Sequence, residues 1–168
     1  MTWRAILASV VGGCCLLPVA AQAGDDDLVT HQTLSPELAA DLAEATLEAC
    51  RAADYQVAVA VVDRFGVLQV LLRDRYAGPH TPDTARRKAW TAVSFRTDTQ
   101  SLVAATAAGT PQAAARDIEG ALMLGGGVPV EASGTMVGGI GVSGAPGGDE
   151  DDRCARAGID AILDRLEF

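Results

Sequence analysis

Aromatic residues are scarce: two tryptophans, two tyrosines and three phenylalanines make up 4% of 168 residues. Stacked rings cannot fill the core, so small aliphatic side chains must. Positive charge is also in deficit, with 13 Lys and Arg against 22 Asp and Glu and a formal net charge of −9. Such a surface repels nucleic acid and anionic lipid, which excludes both as main partners. Histidine occurs only as His31 and His80, and none of the four cysteines lies in a C-x-x-C. Finger-type zinc sites and thioredoxin-type chemistry therefore find no support. No apolar run reaches the roughly 20 residues of a membrane span.

The run that comes nearest, residues 5–20, follows Arg4, contains the helix breaker Pro18 and leads into Ala21-Gln22-Ala23. A short apolar stretch between a positive start and a small-x-small triplet is the pattern of a cleavable secretory signal. Residues 1–23 are thus expected to be a signal peptide, residues 24–33 a flexible lead-in and residues 34–168 one domain. A periplasmic or secreted location follows. The cysteines outside the leader are Cys50 and Cys154. In an oxidising compartment they are candidates for a disulfide, with two free thiols as the alternative.

Ser35 as N-cap, Pro36 behind it and Leu38, Leu42, Ala45 and Ala49 at helical spacing predict a first helix ending near Ala53-Asp54. Residues 55–62 and 67–72, joined by Asp63-Arg64-Phe65-Gly66, predict a hairpin. Thr81 as cap and Pro82 at the first position open a second helix, with Ala85, Ala89, Trp90 and Val93 on one side and Arg86-Arg87-Lys88 elsewhere. Short helical pieces follow at 101–108 and 111–118. Residues 122–130 read as strand, glycine turn and strand, residues 135–142 as a further strand, and residues 151–166 as a closing helix. Directly connected strands argue for an antiparallel sheet with helices packed on it.

Gly139-Ile140-Gly141-Val142-Ser143-Gly144 matches G-x-G-x-x-G, but residues 145–168 read as one helix, without the strand that a dinucleotide fold requires. Gly141-Val142-Ser143-Gly144-Ala145 misses G-x-S-x-G at its last position, and both histidines precede the serine. The acidic run Asp149-Glu150-Asp151-Asp152 suits the positive end of the last helix. Without a nucleophile paired to a base, binding is favoured over catalysis. The residue of most interest is His80, in a loop before a helix, with Arg73, Arg75, Arg86, Arg87 and Lys88 around it. One nitrogen ligand among cations suits an anionic, metal-centred ligand such as haem. A solvated basic face is the plain alternative.

Five motifs occur in order: Ala60-Val61-Val62-Asp63 running into Gly66; Arg73-Asp74; Arg87-Lys88-Ala89-Trp90-Thr91-Ala92; Gly125-Gly126-Gly127-Val128-Pro129-Val130; and Gly138-Gly139-Ile140-Gly141-Val142-Ser143-Gly144. The series resembles the GlcG/HbpS family, over about residues 34–166. The resemblance implies a profilin-like α+β fold, three layers α-β-α, with a five-stranded antiparallel sheet flanked by helices. It also implies a homo-oligomer. Exported members bind haem and can act with a sensor in redox or iron signalling; cytoplasmic relatives sit with glycolate or diol metabolism. The E-x-x-E motif tied to iron in HbpS-type proteins is missing, with Glu44 and Glu48 at i, i+4 instead.

The resulting expectation is an exported protein that sequesters, buffers or senses haem, possibly with a sensor or dehydrogenase partner. His80, the metal ligand by chemistry, or Thr81 would sit on the axial side of the haem. Arg73, Arg86 or Arg87 would lie near its propionates, and Gly125, Gly126 and Gly127 would let a flat ligand approach the backbone. The alternative is an accessory or catalytic protein for a small oxidised metabolite.

Overall fold

Helix α1 (Pro36–Ala52) starts as its cap dictates. The Ser35 hydroxyl accepts the Leu38 N–H at 3.2 Å, and Pro36 occupies a position whose N–H has no helical partner to lose. The computed structural model describes residues 28–167; the expected signal peptide and the first part of the lead-in lie outside the described residues. Residues 32–168 form one unit that carries every element named below.

Strands β1 (Ala58–Asp63) and β2 (Leu68–Arg73) make the expected hairpin. Its turn is pinned by the Asp63 carboxylate, which accepts the N–H groups of Phe65 and Val67 at 2.8 and 2.9 Å. Strands β3 (Gly127–Ala132) and β4 (Thr135–Ser143) form a second hairpin, and all pairings are antiparallel in the order β2-β1-β4-β3. The sheet therefore has four strands among the described residues, not five.

Residues 122–124, expected as a strand, account for the difference. The Leu122 N–H donates to Thr91 Oγ1 at 2.9 Å, and Thr99 Oγ1 donates to the Leu124 carbonyl at 2.7 Å. These side chains come from helices α2 (Thr81–Phe95) and α3 (Thr99–Ala105). A segment whose backbone polar groups are met by helices has little left to pair with a sheet edge. Helix α4 (Gly148–Ala161) also starts earlier than expected, with Gly147 as its cap and Asp149, Glu150 and Asp151 in its first turn.

Two layers of unlike chemistry cover the sheet. On one face α1 and α4 pack on Val57, Val59, Val61, Val130, Ile140 and Val142, the largest buried cluster. Cys50 of α1 and Cys154 of α4 are disulfide-bonded there, 104 residues apart in sequence. In the chain-entropy model a loop of that length is worth at most about 4–5 kcal/mol.

On the other face α2 rests on almost bare backbone. Ala58 and Ala60 meet Ala85, and Val62 meets Ala89 and Val93. A Cβ added at Gly141 of β4 would lie 2.0 Å from the Ala85 carbonyl oxygen, and one at Gly139 would lie 2.6 Å from Val93 Cγ2. The glycine-rich motif is thus a seat for a helix, and it draws α2 down until Lys88 is fully buried.

Gly141→Ala is expected to destabilise the domain by about 3 kcal/mol or more, the upper part of the overpacking range, because the obstructing atoms are backbone. Urea unfolding of the two proteins checks this; an unchanged midpoint would mean that α2 is not so tightly seated.

Candidate functional site

The start of α2, the start of α4 and the end of β4 converge on a half-open groove of about 460 Å³. Local sequence explains the convergence. The tight turns of Gly78-Pro79-His80 and of Gly144-Ala145-Pro146-Gly147 bring both helix N-termini to the edge where β4 ends.

His80 stands at the rim as the residue before α2. Its side chain makes no capping hydrogen bond, and the ring lies over Gly78, where an added Cβ would come within 2.7 Å of His80 Cε1. The imidazole is exposed. Thr81 also lines the groove, but it is buried and its hydroxyl donates to the Gly78 carbonyl at 2.8 Å. Of the two candidate ligands, His80 is the one not engaged elsewhere.

The three arginines separate. Arg87 lines the groove, half-buried, with Nη2 donating to the Ala121 carbonyl at 2.9 Å. Carbonyl partners orient the guanidinium without cancelling its charge. Arg73 instead donates through Nε to the Ala77 carbonyl at 3.1 Å and ties its own loop, while Arg86 pairs with Asp83 at 2.8 Å on the surface. Neither is among the groove residues. Gly125, Gly126 and Gly127 are buried beneath it, not along it. A Cβ at Gly127 would lie 2.4 Å from the Lys88 carbonyl oxygen, and one at Gly126, where φ is +108°, would lie 2.5 Å from Asp151 Cβ. These glycines make room for protein, so the sheet can close on α2 and α4.

At the floor of the groove Lys88, expected away from the apolar side of α2, is instead buried, because the glycines of β4 draw α2 against the sheet. Lys88 Nζ donates to Asp151 Oδ2 at 2.7 Å and to the Val142 carbonyl at 2.9 Å, and Asp151 Oδ1 accepts the Ala145 N–H at 3.0 Å. The two side chains are 1% and 5% exposed. Burial pulls the Lys88 ammonium below its ordinary pKa and pushes the Asp151 carboxyl above its own; each is opposed by the partner charge. Spacing carries a signal for Lys88, because Ala85, Thr91 and Ala92 stand three and four residues away on the buried side.

Leu122, Ala145, Pro146 and Leu124, the last 43% exposed, supply the apolar part of the lining, and Thr84 and Ser143 add hydroxyls. A second groove of about 440 Å³ lies beside β3 and α4, but its Arg156 is already held by Asp152 at 2.6 Å and it contains no histidine.

A family model described as haem-degrading protein, HbpS-like, matches residues 34–160. The chain belongs to the HbpS-like family. The crystal structure of a double glutamate-to-aspartate mutant of HbpS from Streptomyces reticuli is 44% identical with a TM-score of 0.78, over 87% of this chain and 97% of that one. A haem complex of PduOC is 29% identical with a TM-score of 0.72, over 77% and 95% of the two chains. The protein ORFY of Klebsiella pneumoniae is 25% identical with a TM-score of 0.78, over 81% and 94%. The comparison with curated proteins gives no match. Among HbpS-like relatives, then, this chain shares both the α+β architecture and the sequence.

Removing Lys88 alone, as Lys88→Met, is expected to cost about 3–5 kcal/mol, because Asp151 stays buried without its cation. The double change Lys88→Met/Asp151→Leu should recover most of that loss. Equal losses in the single and double variants, measured by chemical unfolding, would show that the pair's charges are not coupled.

Proposed function

We propose that this chain is an exported haem-binding protein that sequesters, buffers or senses haem, with the groove as its site and His80 as the axial ligand. The observation that carries the reading is the exposed His80 imidazole, without a capping hydrogen bond, at the rim of a groove whose lining is partly apolar. Membership of the HbpS-like family and the likeness to a haem complex of PduOC support it.

The donor chemistry fits the group. Among the described residues no set of three or more His, Cys, Asp or Glu is placed to hold a bare metal ion. Iron within a porphyrin brings four nitrogen donors of its own and asks for one or two protein ligands, which a lone histidine can supply. Leu122 and Leu124 offer apolar surface to a macrocycle edge, and burying it is favourable by about 25 cal/mol per Å². When bound, haem supplies the redox and gas-ligand chemistry of its iron. His80 would hold the iron through its imidazole, and Leu122 and Leu124 would give the macrocycle apolar contact.

Export through residues 1–23, a periplasmic or secreted site of action, self-association and a sensor or dehydrogenase partner belong to this proposal. No helix among the described residues is long and apolar enough to cross a membrane. The exposed Phe65, Val67, Leu71 and Tyr76, on and beside the edge strand β2, are where apolar surface is available to a second copy.

In a haemin titration followed by absorbance, the wild-type domain should show a saturable Soret shift at one haem per chain. His80→Ala should weaken it at least tenfold and change the band position. A titration identical to wild type would remove His80 as ligand, and a loss confined to Thr81→Val would transfer the role to Thr81.

A further inference from the structure

We infer that the groove holds a subsite for a carboxylate group, formed by the Ser143 hydroxyl, the uncapped N-terminus of α4 at Gly147-Gly148 and the Arg87 guanidinium, all of which line it. A haem propionate is one source of such a group, so the subsite rests in part on the haem reading, but it does not need a porphyrin.

Ser143 is the first observation. Residues alternate across β4: Gly139 and Gly141 meet the backbone of α2, while Ile140 and Val142 enter the core on the other face. Ser143 therefore continues the α2 side of the sheet, one step past Gly141 and beyond the start of the helix, where it lines the groove. It is only 5% exposed, and its hydroxyl has no hydrogen-bond partner among the described residues. The hydroxyl oxygen is not enclosed by protein, so it opens to the groove and can donate to a ligand atom there.

The second is the start of α4, a helix of 14 residues. Helices α1 and α3 are capped by the side chains of Ser35 and Asp98, at 3.2 and 2.7 Å, whereas α2 and α4, which both start at the groove, have no side-chain cap. Helix α4 has glycine at the cap and no side-chain acceptor for its leading N–H groups. Those groups and the aligned helix dipole favour an anion. Of the nearby acids, Glu150 reaches back toward Gly147 without a hydrogen bond to the leading N–H groups. Asp149 accepts from Gln100 at 2.6 Å, Glu150 pairs with Arg153, and neither lines the groove. Asp151 is taken by Lys88 and the Ala145 N–H.

Charge is the third. Lys88 and Asp151 cancel within the floor, and Arg87 has no carboxylate partner, so the described groove residues keep a net positive charge in a chain of formal net charge −9. A guanidinium, a hydroxyl and helix N–H groups are all donors, and a carboxylate is all acceptor. The two sources are a haem propionate and a free small carboxylate; the second is the chemistry of an oxidised metabolite.

Gly147 offers a variant that separates binding from folding. Its φ of −157° and ψ of 171° are extended and suit any residue, and an added Cβ would meet only the flexible tip of Glu150, at 2.9 Å. Gly147→Asp places an acceptor on the α4 N–H groups, which should raise the melting temperature while occupying the subsite from within. Ser143→Ala removes the hydroxyl with little change of shape.

The experiment compares haemin with haemin dimethyl ester, and separately follows amide NMR shifts of the haem-free protein titrated with glycolate. Wild type should bind haemin at least tenfold more tightly than the diester, and both variants should bring that ratio toward one, Gly147→Asp with an unchanged or higher melting temperature. Glycolate shifts at Ser143 and Gly148 that saturate and vanish in both variants would support the subsite with a small carboxylate as its source. That outcome stands even if haemin does not bind, which would sink the haem reading alone. Equal affinity for haemin and the diester, with no saturable glycolate shift, would overturn the subsite and leave the haem reading intact.

Discussion

The buried ion pair between Lys88 and Asp151 holds four parts of the molecule in one arrangement. It joins α2 to α4 directly, reaches the end of β4 through the Val142 carbonyl and fixes the following loop through the Ala145 N–H. Two charges taken out of water are costly, and their attraction compensates only when the remaining donors and acceptors are also met. Here both carboxylate oxygens accept, and the ammonium donates to a carboxylate and a carbonyl. The pair is therefore a weak source of net stability and a strong source of specificity, because any shift of α2 against α4 leaves a charge stranded. The groove lies on top of this junction.

The ion pair exists because the fold provides no other place for the lysine. Alanines on α2 and glycines on β4 bring helix and sheet to backbone contact, and Gly127 lets the β3 backbone come against the Lys88 carbonyl. At such a distance a long side chain on the inner face cannot reach solvent. A chain with 4% aromatic residues has few large groups with which to fill a wider gap. Close contact between small residues replaces bulk on this side, and the valine-rich layer beneath α1 and α4 supplies most of the buried apolar surface on the other.

Much of this architecture is legible in the amino-acid order alone. The Ser35-Pro36 start of α1 and the Asp63–Gly66 hairpin turn follow from local hydrogen bonding and backbone preference, and they stand where those preferences put them; α2 instead begins one residue early, with His80 at the cap position and the Thr81 hydroxyl donating to the Gly78 carbonyl. The strand expected at 122–124 is absent for a reason outside its own residues: its polar groups are met by Thr91 and Thr99, which lie 31 and 25 residues away. The site is partly legible. His80, Thr81 and Arg87 do meet in one groove, whereas Arg73 and Arg86 have nearer partners and the triple glycine faces protein. Sequence proximity collects charges of like sign; it does not say which of them already has an acceptor. Ser143 reads in one dimension as a nucleophile without a histidine, and only the pleat of β4 shows that it faces the groove.

The disulfide completes the chain of dependence. Cys154 lies three residues past Asp151 in α4, and its bond to Cys50 anchors that helix to α1 across the main core. Helix α4 is thus held by a disulfide at Cys154 and by an ion pair at Asp151, both within two turns of its uncapped N-terminus at Gly148. A helix end left without a cap loses on the order of 1 kcal/mol relative to a capped one, and a helix tied twice can carry that loss where an untethered one would fray. The proposed subsite lies at the end of α4 whose leading N–H groups have no side-chain acceptor, so there a ligand, and not the protein, would supply it.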